Sequence, residues 1–367
     1  MKNITTNDLI LDYKPLLPKN KAMGIAIVGA GQIIQSAHLP AYKLAGFNVV
    51  GIYDQSLETS KTVAKAFNIS KIYQHLDDLL NDPEVEVVDI ALPVDFQSDV
   101  VLKVAAKGKH ILCQKPMGSN YSDAKKIADA AKQFNVKIAI NQQMRWSPAI
   151  QATKSIIDRN WLGDLVQSSI QVNVQTDWSN WQWLTKIEKL EMMYHSIHYM
   201  DASRYLMGKP DSVFADISRF PGESTVGETR SLIHINFGGD KKGLIHDCHH
   251  NISPSQDDWF ATFRVEGTKG IVKGTNGSLY NYPVGREDTI EFYSSVLSDN
   301  QWFKPTLEGR WFPHAFMGTM GELMIAIEED RQPSNSAEDG LLTIQMVFAA
   351  YKSAKEGRVV YLEEINS

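Results

Sequence analysis

The stretch GIAIVGAGQII, residues 24 to 34, constrains this chain more than any other. A short apolar β-run enters a turn built on Gly29 and Gly31, the helix-like SAHLPAYKLAG follows, and a second β-run, NVVGIYD, comes next. Strand, glycine turn, helix and strand make a βαβ unit. The alternation continues through SLETSKTVAKAFN as helix, KIYQ as strand, LDDLLND as helix and VEVVDIALP as strand. It runs on through DFQSDVVLKVAAKG, KHILCQKP, NYSDAKKIADAAKQFN and the closing strand VKIAIN. Continuous apolar strands between amphipathic helices predict a parallel sheet covered on both faces, so residues 22–145 read as one doubly wound, Rossmann-type domain.

Gly29, Gly31 and Ile34 occupy the pattern G-x-G-x-x-G/A with its last position altered. The first glycine permits the tight turn; the second lets backbone approach a pyrophosphate at the helix N-terminus, where Gln32 and Ile33 also stand. Ile34 in the third place implies a wider gap between helix and strand. A glycine pair alone is equally well read as a tight βα turn. Asp54, at the end of the second β-run, tips the balance, because a carboxylate there accepts from a ribose 2′-hydroxyl. It also repels a 2′-phosphate, and Gln55-Ser56 brings no arginine to offset this, so NAD is favoured as cofactor, with NADP left open.

After MRWSPAIQATKSIIDRNWLGD the pattern changes to long β-runs with polar alternation: LVQSSIQVNVQT, DSVFADISRF, TRSLIHINFG, KGLIHDCHHNI, WFATFRVEG, GIVKGTNGSLYNYP and DTIEFYSS. These predict a largely antiparallel sheet with one buried face, closed by two helices, HAFMGTMGELMIAIEED and SAEDGLLTIQMVFAAYKSAKEG. The fold class is therefore α/β: an N-terminal Rossmann domain followed by an α+β domain over 146–367 with an open, largely antiparallel sheet. Residues 1–21, with Pro15 and Pro18, read as an extended arm available to lie across a neighbouring subunit.

Composition narrows the partners. With 43% hydrophobic and 22% charged residues the chain is an ordinary globular sequence, and its net charge of -6 with dispersed positive residues gives no basic stripe for nucleic acid or an anionic membrane. The two cysteines, Cys113 and Cys248, have no metal or redox spacing and suggest a reducing compartment. No secretory signal or bilayer-length apolar run is present, so the expected location is the cytoplasm.

Two stretches carry candidate chemistry. In GKHILCQKPMGSN, Lys115 follows an apolar strand at the carboxyl edge of the predicted sheet, where doubly wound folds bind ligands; a surface lysine in a loop is the plain alternative. In EMMYHSIHYMD, Tyr194, His195 and His198 share a helical face at i,i+3 and i,i+4 spacing. A metal site, a pair of packed histidines and an acid/base catalyst all suit such spacing. No acidic residue stands at HExxH spacing, so no metal is expected. An imidazole does suit removal of a hydroxyl proton as hydride leaves its carbon.

Arg145 and Trp146, with Gln142 beside them, and Asp177, Trp178 and Trp181 before the histidine helix are candidates to line a pocket. His195 is the remaining candidate there. Asp177 would offer a carboxylate and the tryptophans flat apolar faces, although tryptophans also serve packing. In IHDCHHN, His246, Cys248 and His250 alternate with Asp247 and His249; neighbours along one strand rarely converge on an ion, so an interface or pocket role is the better reading.

Together the motifs resemble the glucose-fructose oxidoreductase / inositol dehydrogenase / MocA family over residues 22 to 362. The family's Glu-Lys-Pro stands here as Gln114-Lys115-Pro116, and GAGQIIQSAHLPAY, IALPVDF, MRWSPA and the terminal helix match as well. The resemblance implies a nicotinamide-dependent enzyme that interconverts a sugar or cyclitol hydroxyl and a carbonyl, and assembles as a dimer or tetramer through its open sheet. It implies that Lys115 contacts the reacting oxygen, that Gln114 keeps the acceptor of the family's Glu without its charge, and that Pro93 shapes the nicotinamide pocket. His198 takes the catalytic histidine position and Asp201 the downstream aspartate, while Tyr194 stands where the family has Asp. An NAD-dependent glycosidase with transient redox, and a non-catalytic nucleotide-binding regulatory protein, are the alternatives.

Overall fold

The computed structural model describes residues 9–253, 255–280 and 285–366. The first eight residues of the expected arm, and Asn281, Tyr282 and Pro283 at the end of the expected run GIVKGTNGSLYNYP, lie outside the described residues. Two compact units are present: residues 15–143 with 313–344, and residues 9–14 with 144–312 and 345–366.

The first unit alternates strand and helix from its start. In chain order come β1 (Ile25–Val28), α1 (Leu39–Ala45), β2 (Val49–Tyr53), α2 (Leu57–Phe67), β3 (Lys71–Ile72), α3 (Leu76–Asn81) and β4 (Val87–Ile90). α4 (Val94–Ala106), β5 (His110–Cys113), α5 (Tyr121–Gln133) and β6 (Ile138–Ile140) complete the run. The strands form one six-stranded parallel sheet in the order β3-β2-β1-β4-β5-β6. Every residue of β1 and β4 is buried, as the uninterrupted apolar runs require of strands covered on both faces. Strand order reverses between β1 and β4, which opens a ligand crevice at their carboxyl ends.

The second unit begins with α6 (Pro148–Asp158), β7 (Leu165–Asn173) and α7 (Ile197–Met207). β8 (Ser212–Ser218), β9 (Arg230–Asn236), β10 (Lys242–Cys248), β11 (Phe260–Gly267), β12 (Gly270–Thr275), β13 (Thr289–Ser294) and β14 (Trp302–Phe303) follow. α8 (Phe316–Glu328) and α9 (Ala337–Glu356) come next, and β15 (Val360–Tyr361) is the last strand. The nine strands pair in the order β14-β13-β12-β11-β7-β10-β9-β8-β15, antiparallel except for β7 beside β10. Period-2 burial puts one face inward under α6 and α7 and leaves Phe214, Leu232 and Leu244 exposed on the other.

The second half of the chain does not stay together as the sequence suggests. Residues 313–344 return to the first unit, where α8 packs on α1, β5 and β6. Asn335 makes two bonds to Ile140 at the β6 edge, one through each end of the residue: Ile140 N–H donates to the Asn335 backbone carbonyl at 2.8 Å, and the Asn335 side-chain Nδ2 donates to Ile140 O at 2.8 Å. The arm also takes a course of its own. Lys19 N–H and Asn20 N–H donate to the Glu328 carboxylate on α8, so residues 15–21 lie along this chain's own helix.

Gly29 is the tightest point of the Rossmann sheet. Its φ is +95°, and a Cβ built there would stand 2.3 Å from the carbonyl oxygen of Ala91. A left-handed backbone and a backbone clash both exclude side chains. Gly29→Ala is therefore expected to lower unfolding free energy by roughly 2–4 kcal/mol in a denaturant titration, from strain plus displacement of the β4 end; a change below about 0.5 kcal/mol would contradict the geometry.

Candidate active site

The carboxyl ends of β1 and β2 are tied together by a single side chain. Gly29 N–H donates to Tyr53 O at 2.8 Å. One oxygen of Asp54 then accepts the Ala30 N–H at 2.8 Å and the other accepts the Ser56 N–H at 2.8 Å. Each oxygen keeps a lone pair for a further donor, such as a ribose hydroxyl. Gly31 is exposed, and no atom lies within 4 Å of where its Cβ would stand, so the turn offers open backbone. Gln32 is exposed and Ile33 half-buried at the start of the following helix. These features fit a dinucleotide pyrophosphate above the turn. Ile34 is fully buried, and the helix widens at that place, with Leu39 N–H donating to Ile34 O five residues back. The extra turn width accommodates the side chain that replaces the usual small residue.

Beyond β4, Pro93 precedes the first turn of α4, and the buried Gln97 donates to Pro116 O at 2.6 Å. Beyond β5, Gln114 N–H donates to Ile90 O at 2.9 Å, and the Gln114 side-chain carbonyl accepts the Lys115 N–H at 2.8 Å. The Lys115–Pro116 peptide is cis. Burial of the Lys115 ammonium pushes its pKa down to about 7, a value suited to exchanging a proton at working pH.

In the second unit, Tyr194 and His195 lie in a widened helical turn, Met192–Ser196, that runs directly into α7. Tyr194 meets the edge of Trp183 with ring centroids 5.4 Å apart. His195 contacts Trp178 at 5.9 Å and His249 at 4.1 Å, and His198, 6% exposed, contacts Trp311 at 5.1 Å. The structure thus joins His195 and Trp178, two of the expected pocket residues. Asp177 is exposed; hydrogen bonds from the Ser179 side chain and then from its N–H hold the carboxyl below the usual range.

Arg145, expected to line a pocket, is held by a buried carboxylate. Its Nε and one terminal nitrogen donate to the two oxygens of Asp201, each at 2.6 Å, with both residues buried. Arg204 adds a bond to the same carboxylate at 3.3 Å. A bidentate fork of this kind fixes the approach to α7 and leaves the guanidinium plane committed to protein.

Glu191 was not singled out by the sequence, yet it meets Asp247 and His249 in a fully buried group whose ligand-capable atoms lie within 4.8 Å of one another. This is the opposite strand face from His246 and His250. His249 Nε2 is 3.2 Å from Asp247, and its Nδ1 is 2.6 Å from the Thr176 hydroxyl. Glu191 accepts the Ser196 N–H at 3.0 Å and hydrogen-bonds to Asp247. Burial pushes Asp247 up to about 7 and Glu191 well above the usual carboxyl range. Two facing buried carboxyls repel as anions, so each favours its protonated form. Asp247 and His249 stand two apart in IHDCHHN, but Glu191 comes from another segment, so no spacing in the sequence joined it to them.

Residues 23–142 match the NAD-binding Rossmann-fold model of the Gfo/Idh/MocA oxidoreductases, and residues 154–362 match their C-terminal alpha/beta domain. The chain belongs to the Gfo/Idh/MocA oxidoreductase family. A D-apiose dehydrogenase from Paraburkholderia graminis is 23% identical over 345 residues, covering 93% of this chain and 90% of that protein. A 1,5-anhydro-D-fructose reductase from Ensifer adhaerens is 23% identical over 345 residues, covering 92% and 98%. The crystal structure of an oxidoreductase from Agrobacterium radiobacter with NAD+, L-tartaric acid and magnesium has the same fold, with a TM-score of 0.82, 21% identity and coverage of 94% and 100%. Within this Gfo/Idh/MocA member no helix among the described residues is long and apolar enough to cross a membrane.

The raised Asp247 carboxyl has a signature in stability. The folded chain holds a proton there that the unfolded chain, with an ordinary carboxyl, has released above about pH 4. Stability therefore falls as pH rises from about 4 to about 7. Asp247→Asn should flatten that part of the dependence of Tm on pH; parallel curves for variant and parent would rule out the buried proton.

Proposed function

We propose that this chain is an NAD-dependent dehydrogenase of a sugar or cyclitol, interconverting a hydroxyl and a carbonyl. The observation that carries the reading is Lys115, an ammonium with its pKa drawn down to about 7, immediately after β5 at the ligand-binding end of the Rossmann sheet. Relatives named as D-apiose dehydrogenase and levoglucosan dehydrogenase support the substrate class.

Bound nicotinamide supplies the two-electron acceptor; the chain does the rest. Gly29, Gly31, Gln32 and Ile33 present backbone to the pyrophosphate, and Asp54 accepts from the ribose hydroxyls. Pro93 and Gln114 flank the nicotinamide side. Lys115 offsets negative charge developing on the reacting oxygen, and His198 takes the hydroxyl proton. Tyr194 contributes a phenol where the family pattern that the chain resembles places an Asp, so it orients or donates without adding charge. Trp146, Trp178, Asp177 and His195 are assigned to the sugar itself. The exposed residues Phe214, Leu232 and Leu244 support assembly with a second copy through the open sheet face.

Tyr194 and Gln114 favour one other reading, a nucleotide-binding regulatory protein, because both replace charged residues of the family pattern. Absorbance at 340 nm with NAD and a panel of sugars and cyclitols separates the two. NADH formation supports the dehydrogenase; tight NAD binding with no turnover of any compound supports the regulator, and cleavage of aryl glycosides without net NADH marks a glycosidase.

Two substitutions expose the residue assignments. Lys115→Ala should lower kcat/KM on the order of 100- to 1000-fold with the protein still folded, as loss of charge stabilisation at the reacting oxygen requires; near-parent activity removes Lys115 from the mechanism. Asp54→Ala should weaken NAD binding about 10-fold or more while altering NADP much less, since NAD loses bonds to a charged acceptor. An unchanged preference between the two would refute the ribose assignment.

A further inference from the structure

Four polar side chains of the first unit meet around one ring, that of His38. Its Nδ1 lies 2.7 Å from an oxygen of Asp89, and the Tyr42 hydroxyl donates to that oxygen at 2.6 Å. On the other side, His38 Nε2 lies 3.1 Å from Gln114 Nε2 and 3.1 Å from Asn141 Nδ2. His38, Asp89 and Asn141 are completely buried, and Gln114 is 8% exposed.

The backbone fixes who donates to whom. Lys115 N–H points at the Gln114 side-chain carbonyl at 2.8 Å, so the carbonyl end of that amide is assigned. The amide's NH2 end must then face His38, and a facing NH2 group requires an acceptor. Nε2 therefore carries no hydrogen, and the ring proton sits on Nδ1, where Asp89 receives it. We infer that His38, held neutral with its proton on Nδ1, is the positioning residue that orients the Gln114 amide and through it the turn bearing Lys115. This rests on the assignment of Gln114 and Lys115 to the cofactor side of the site given above.

The tautomer also explains the identity of residue 114. A Glu, the family's usual residue, has no hydrogen to give Nε2. It would be accommodated only if His38 carried both ring protons, as an imidazolium between two carboxylates. Gln114 and the bare Nε2 are thus two halves of one arrangement. The other titratable groups packed about this cluster are Tyr42 on α1, Asp89 on β4 and Cys113 on β5, while α8 contributes the Phe316 ring, 4.9 Å from His38. Burial raises Tyr42 and Cys113 far enough to keep both protonated, so neither competes for the ring proton.

Histidine ring 15N–1H correlations of labelled full-length protein test the assignment directly, with the His38 signal identified by its loss in His38→Gln. A neutral ring with hydrogen on Nδ1 is expected at neutral pH; an imidazolium, or hydrogen on Nε2, overturns the proposal. Gln114→Glu should convert the ring to imidazolium, a state stabilised by folding. Its Tm should approach the parent's at acidic pH and fall below it as pH rises and the second proton is lost; a constant offset is the contrary result.

Two further variants read the link to Lys115. His38→Gln keeps an oxygen near the Nε2 position, whereas His38→Asn keeps a partner for Asp89 and leaves Gln114 unsupported. The Asn variant should lose on the order of 10-fold in kcat with a smaller change in the KM for NAD, and the Gln variant should stay within about threefold of the parent. Equal losses in the two, or none, overturn the positioning role. Should either fail to fold, the parent's ring tautomer decides, and that measurement stands even if no sugar is turned over.

Discussion

The carbonyl oxygen of Ala91 occupies the space a side chain at position 29 would need, and the ligand-binding end of the first unit is arranged around that contact. Because β4 closes so near to β1, the chain leaving β1 turns with a left-handed glycine. The same closeness lets a ladder of bonds cross the strand ends: Gly29 N–H to Tyr53, Ala91 N–H to Val28 and Gln114 N–H to Ile90. Asp54 then draws Ala30 inward and leaves Gly31 facing open space. The turn, the ribose-side carboxylate and the Gln114-Lys115 segment are in this sense one rigid edge, and a nucleotide meets it already formed.

The parts of this design that are local in sequence were legible there. Gly29, Gly31 and Asp54 announce themselves because each belongs to a strand end followed by a turn. Residues whose roles come from distant partners were not legible. Arg145 read as a candidate pocket residue, and nothing local showed that Asp201, 56 positions on, takes up its fork. Glu191 drew no reading from the sequence, because Asp247 and His249 come to it from a distant segment. The returning segment 313–344 looked like part of the second half, since amphipathic helices carry no label saying which sheet they cover.

Buried polar groups in this chain come in hydrogen-bonded clusters. The Gln114 amide meets His38, and the facing carboxyls of Glu191 and Asp247 are both pushed up by burial. A buried ion is costly unless well paired, whereas a neutral hydrogen-bonded network keeps geometry at smaller desolvation cost. The bidentate Arg145–Asp201 pair is the counterexample, and there both partners are satisfied.

The contact between β6 and Asn335 has a consequence during synthesis. β6 is the last strand of its sheet, and its outer edge is met by residues nearly 200 positions further along. A ribosome that has delivered all six Rossmann strands has not yet delivered the piece that covers this edge, nor α8, which packs over β5 and β6. An uncovered strand edge invites pairing with other chains. The nascent first unit therefore waits, through the making of the entire nine-stranded sheet but for its last short strand, for the segment that finishes it.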